Sequence, residues 1–132
     1  MSWGTFVRRN YTKIKDLRMD LKGINTIKPK REESFAHQLI KFLVCHHLFK
    51  LGHHFRTEQT IERGICDIID LDDFVIYEIE TNPTTNGIKR KLEELNNPVI
   101  KDIIIIDVRR LNVDWKGIMK LRKEVSKYCS FI

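Results

Sequence analysis

"ICDIIDLDDFVIYEIET", residues 65–81, sets six carboxylates into a stretch whose other residues suit a sheet interior. Asp72-Asp73 forms a natural tight turn, with a strand of residues 65–71 before it and one of 74–81 after it. Leu71 then pairs with Phe74, Ile69 with Ile76, and Asp67 with Glu78. Strict alternation puts Ile65, Asp67, Ile69, Leu71, Phe74, Ile76, Glu78 and Glu80 on one face. Opposed residues have Cβ atoms about 5 Å apart. Two like charges at that separation repel by on the order of 3 kcal/mol at an effective dielectric near 20. Carboxylates converging at the end of an apolar face are a ligand set for a hard divalent cation such as Mg²⁺. Three other readings stay open at this point: exposed strand acids, a turn one residue longer that separates the pair, or neutralisation by a proton or a lysine.

Outward from the hairpin, the chain reads as helix, three strands, helix, strand, helix. "REESFAHQLIKFLVCHHLFKL" (31–51) is a helix apolar almost all round, opened by Pro29 and ended at Gly52, and expected to be buried on more than one side. "HHFRTEQTI" (53–61) is the first strand, and "ERG" turns into the second. "NPTTN" (82–86) is a loop and "GIKRKLEELNN" (87–97) a short helix. "VIKDIIIIDV" (99–108) is a continuous apolar run, the mark of a strand covered on both faces. "DWKGIMKLRKEVSKYC" (114–129) is an amphipathic helix with Ile118, Leu121, Val125 and Cys129 on its apolar stripe. A meander followed by a strand–helix–strand crossover gives an α/β fold, a mixed four-stranded sheet flanked by helices.

The 132 residues suffice for one domain with a proper core. No apolar run is long enough to span a bilayer and no charged-then-apolar leader is present, so a cytoplasmic protein away from membranes is expected. Three cysteines without framework spacing agree with a reducing compartment. The net charge of +6 is unevenly spread. Residues 1–31 hold nine Lys/Arg against Asp16 and Asp20, while the remaining 101 hold fifteen against sixteen acids. Residues 1–30 thus read as a basic arm with a short helix over 11–23, and 31–132 as the main domain. Such segregation points to a polyanion, DNA first, with Arg8, Arg9, Lys13, Lys15, Arg18, Lys28, Lys30 and Arg31 as the contacts. A solvated tail and a dimer arm fit the same charges.

Cys45-His46-His47 with His53-His54 lacks paired zinc-ligand spacing. Neither a phosphate loop nor a nucleophile elbow occurs, which excludes the common nucleotide-cofactor and serine-hydrolase motifs.

Asp67 in "ICDIID" with Glu78 and Glu80 in "VIYEIET", in this order of elements, resembles the PD-(D/E)XK nuclease superfamily of restriction enzymes and archaeal Holliday-junction resolvases. The resemblance covers about residues 31–128 and implies a restriction-endonuclease-like core, αβββαβα. It implies a Mg²⁺- or Mn²⁺-dependent endo- or exodeoxyribonuclease acting on DNA as a homodimer. Metal would be held by Asp67, Glu78 and Glu80, with Glu32 or Glu33 from the first helix. Cys66 stands in the place of the name-giving Pro. Glu80 stands in the place of the family's lysine, an E-x-E variant. Lys89 or Lys91 from the next helix is the candidate replacement in catalysis, and their directions about 200° apart allow only one to face the site. The alternative is an inactive DNA-binding relative. Frequent Ile and Lys suit an A+T-rich genome, such as that of an archaeon or its virus, which would place the protein in a host cytoplasm.

Overall fold

The computed structural model describes residues 23–129. Arg8, Arg9, Lys13, Lys15, Arg18 and nearly all of the helix expected over 11–23 lie outside the described residues. The elements are α1 (Phe35–Lys50), β1 (Phe55–Ile61), β2 (Gly64–Asp70), β3 (Val75–Glu80), α2 (Thr85–Glu94), β4 (Asp102–Asp107) and α3 (Trp115–Ser126). Short 3₁₀ turns follow β4 at Val108–Arg110 and α3 at Lys127–Cys129. The sheet order is β1-β2-β3-β4, antiparallel through β3 and parallel between β3 and β4. The fold is therefore α/β, with a four-stranded mixed sheet flanked by helices. Among the described residues no helix is long and apolar enough to cross a membrane.

Two apolar clusters lie on the two faces of the sheet. Ile40, Cys45 and Leu48 of α1 pack with Phe55, Ile68, Ile79 and Val108. On the other face, Ile69, Leu71, Phe74 and Ile76 pack with Leu95, Val99 and Ile100 around the end of α2.

Several boundaries differ from the sequence reading, each for a local reason. α1 starts at Phe35, because Ser34 accepts the His37 N–H at 3.1 Å as an N-cap. Pro29 consequently stays in the entry segment, and Glu32 and Glu33 precede the helix. α1 ends in paired bonds, His53 N–H to Leu48 O and Gly52 N–H to Phe49 O, and Gly52 takes the φ of +79° that this cap requires. The helix is buried along one stripe only, Ile40, Lys41, Cys45 and Leu48, leaving Phe42 and Leu43 about half exposed. β4 is covered only in part on each face: Ile103 packs against one cluster and Ile106 against the other, while Ile104 is exposed, and the strand lies at the sheet edge, paired with β3 alone. α3 does not bury its expected stripe either, and Leu121 and Val125 are 59% and 52% exposed.

The end of the segment assigned to the basic arm packs on the sheet. Residues 25–28 run along β1: Asn25 N–H donates to Phe55 O, and Phe55 N–H donates to Asn25 Oδ1. Thr57 Oγ1 donates to Thr26 O and accepts from Lys28 N, both at 2.9 Å. An otherwise open sheet edge is thereby occupied.

Candidate active site

The β2–β3 register follows the expected one: Ile68↔Tyr77, Ile69↔Ile76 and Asp70↔Val75 are paired. Continuing it one step opposes Asp67 and Glu78, yet the ladder stops there. The two carboxylates bind each other's strand instead: Asp67 Oδ2 accepts the Ile79 N–H at 2.8 Å, and Glu78 Oε1 accepts the Asp67 N–H at 3.1 Å. The close pair is thus tolerated because each acid satisfies a backbone donor that a ladder bond would otherwise serve, and because the Glu78 carboxyl, its pKa raised by burial, can keep its proton beside Asp67.

The single-face expectation fails at the same place. Cys66 and Ile69 belong to one cluster and Ile68 to the other, so alternation breaks at Asp67. Phe55 and Ile61 likewise fall in different clusters, and between them Glu58 has φ +53°. A left-handed glutamate inside a strand is strained, a feature that concentrates at functional sites. Ile65, expected on the buried face, is 56% exposed.

Of the two lysines after β3, Lys91 faces the acids. Its Nζ lies 3.1 Å from Glu78 Oε2 and pairs also with Glu80 Oε1. Lys89 is exposed and stands outside the group. Glu78 is 1% exposed, so burial and the Asp67 charge push its carboxyl upward against the pull of Lys91. Burial acts on Asp67 in the same direction. The hydrogen bonds of His37, Ile79 N–H and Glu78 outweigh it and hold Asp67 below the usual carboxylate range.

Glu33, not Glu32, reaches the site. Glu32 is exposed, although it lies before the N-cap just as Glu33 does. Glu33 Oε2 approaches His37 Nδ1 at 3.5 Å, and His37 Nε2 lies 3.4 Å from Asp67 Oδ2. The hydrogen bond to Asp67, with its charge and that of Glu33, raises the His37 pKa. Behind them Lys41, 1% exposed, donates to Lys28 O at 2.8 Å, Glu33 Oε1 at 3.1 Å and Glu58 Oε1 at 2.5 Å. All three ammonium protons are used. Burial opposes the Lys41 charge, but Glu58 and Glu33 together raise its pKa. Glu58 Oε2 binds Lys30 Nζ at 2.7 Å. Lys30 is therefore committed to the site rim, Lys28 is anchored through its backbone, and Arg31 is exposed.

His37 and Lys41 were not singled out by the sequence reading. Their signal was the i, i+4, i+8 spacing of Glu33, His37 and Lys41, the first just before the helix and the other two within it. Among the described residues Cys45, His46, His47, His53 and His54 do not converge as one ligand set, although His53 with Asp70 and Asp72 forms a separate group of possible ligands. Cys45 is buried, its thiol pushed up to about 12 by burial, while His53 binds Asp70 and His54 binds Asp72 beside the hairpin turn.

For a divalent cation, Glu33, His37 and Asp67 offer three ligand atoms within 4.8 Å of one another. Glu33 Oε2 and His37 Nδ1 are buried without a hydrogen-bond partner. Unsatisfied buried donors and acceptors call for an occupant, so these residues fit an ion. Compared with family models, with curated proteins and with solved structures, the chain has no match.

Proposed function

We propose that the protein is a metal-dependent nuclease of restriction-endonuclease-like fold that hydrolyses DNA phosphodiester bonds. The observation carrying this reading is the convergence of Asp67, Glu78 and Glu80 from two strands with Lys91 from the crossover helix. That is the acid set with a lysine supplied from the next helix, as the E-x-E departure requires. The ends of Glu33, His37 and Asp67 would hold Mg²⁺ or Mn²⁺, with Glu78 and Glu80 beside them. Such an ion supplies Lewis-acid polarisation of a phosphoryl oxygen and a more acidic water.

The protein's own groups do the rest. Lys91, held by two carboxylates, is a fixed cation able to donate to a phosphate oxygen. Asp67 stays ionised and available at neutral pH, because its hydrogen bonds favour the charged form. Lys41 holds Glu33 and Glu58 against the entry segment. A second reading, a DNA-binding protein without activity, is favoured by one feature. Lys91 already pairs with Glu78 and Glu80 without any ion.

Cleavage of plasmid, linear duplex, single-stranded and branched DNA with Mg²⁺ and with Mn²⁺ separates the two. Metal-dependent cutting that Asp67→Asn abolishes supports the nuclease. Binding without cutting in either metal assigns the binding role.

A further inference from the structure

The +6 net charge hides a second segregation, at the other end of the chain from the basic arm. Residues 108–129 hold seven Lys/Arg against Asp114 and Glu124, a net +5, whereas residues 32–107 hold eight against fourteen acids, a net −6. Four of the seven are Lys116, Lys120, Lys123 and Lys127, all exposed. At 100° per residue they fall within about 60° of arc, a single stripe roughly 17 Å long. None of the four has a carboxylate partner among the described residues, although Glu124 stands on the same helix. Like charges at i, i+4 destabilise a helix. The helix therefore carries a stripe of like charge that a polyanion would complement.

The element carrying it sits beside the candidate active site. Arg122 lies over the Phe35 ring at 4.9 Å, and Phe35 begins α1 two residues after Glu33. The chain enters α3 from β4, where Asp107 is in register with Glu80, and Arg109 reaches Asn82 Oδ1 at 3.4 Å. Arg110, 88% exposed along its side chain, follows.

We propose that the lysine stripe of α3 grips the sugar–phosphate backbone of duplex DNA, independently of the basic arm. This deepens the nuclease reading by naming where its substrate docks, and rests on it. Duplex DNA carries one charge per about 1.7 Å of axis with both strands counted, so about five phosphates of each strand lie along a stripe of this length, enough partners for four ammoniums. A lipid surface fits less well. The lysines stand about 160° around the helix from Ile118, Leu121 and Val125, so inserting the apolar side would turn the ammoniums away from the headgroups.

The test measures binding of the full-length chain to a 30-base-pair duplex in EDTA, across salt concentrations. The variant Lys116→Gln, Lys120→Gln, Lys123→Gln, Lys127→Gln should bind at least about tenfold more weakly at moderate salt. Its log–log salt slope should fall by about 0.9 for each phosphate that is no longer neutralised. The matching fourfold Lys→Arg variant should keep the wild-type slope, and Lys120→Gln alone should lower it by about 0.9. Far-ultraviolet circular dichroism and the melting temperature check the fold of each. Wild-type affinity and slope in a folded fourfold Gln variant overturn the proposal, even if the protein cuts DNA. Stripe-dependent binding by a protein that never cuts upholds the stripe and removes the nuclease reading. Binding to vesicles of anionic lipid with none to the duplex overturns the proposal.

Discussion

Asp67 is the residue on which both the hairpin and the site turn. Its Oδ2 accepts from Ile79 N–H and meets His37, while its own N–H is held by Glu78. In Asp67→Asn the amide oxygen can still accept from Ile79, so the variant should fold. It should nevertheless lose the metal-induced rise in melting temperature, which at 100 times Kd corresponds to about 2.7 kcal/mol in the wild type. An equal metal shift in the variant would remove Asp67 from the ligand set. Lys91 and Lys89 separate cleanly. Lys91→Met should reduce cleavage by roughly 10²–10³-fold, the scale for losing a transition-state donor, with Lys89→Met near wild type. Single-turnover rates on one duplex check both, and equal rates for all three proteins would leave water activation to the metal alone. Glu78 predicts a pH effect. Its folded pKa is raised, so the folded state binds a proton that the unfolded chain releases near 4.5. Its stabilising contribution is full below that value and falls as pH rises through the raised pKa. Metal-free urea unfolding should therefore show stability declining from about pH 5 upward, and Glu78→Gln should flatten the decline. His37, also raised, adds to the fall above its ordinary value of 6.5.

At the scale of elements, the junction of the entry segment with β1 decides how α1 meets the sheet. Thr57, 2% exposed, spends its hydroxyl on Thr26 O and Lys28 N. Thr57→Val keeps the shape and strands both partners, and should cost about 1–3 kcal/mol in denaturant unfolding. An unchanged midpoint would mean that water replaces the hydroxyl. Lys41 ties the same segment to α1 and β1 through Lys28, Glu33 and Glu58. A helix that reads as apolar all round thus carries one internal ammonium, and its buried stripe is chosen by that ion group as much as by its leucines.

For the molecule as a whole, charge is divided between an acidic middle and two basic ends. Deleting residues 1–22 should flatten the salt dependence of DNA binding, because it removes six Lys/Arg against two acids. The core should remain folded, since the apolar clusters begin at Ile24. A truncated chain with the full-length affinity and slope would show that the arm serves another purpose.

The order of the elements, the β2–β3 register and the opposition of Asp67 and Glu78 were legible in the sequence alone. Those follow from period-two patterning around a turn and from apolar runs, which are local and survive in one dimension. The sequence also narrowed the lysine to two positions, because helical spacing forbids both from facing one point. Only the tertiary structure decided between Lys89 and Lys91, or Glu32 and Glu33. That choice depends on where α2 and the entry to α1 pack, and on the Ser34 cap that leaves both glutamates outside the helix. The break of alternation at Glu58 and Asp67, the edge position of β4 and the exposed apolar side of α3 were likewise hidden in the sequence. A strand's pattern states which residues can be buried. Which of them are depends on the neighbour that arrives to cover them.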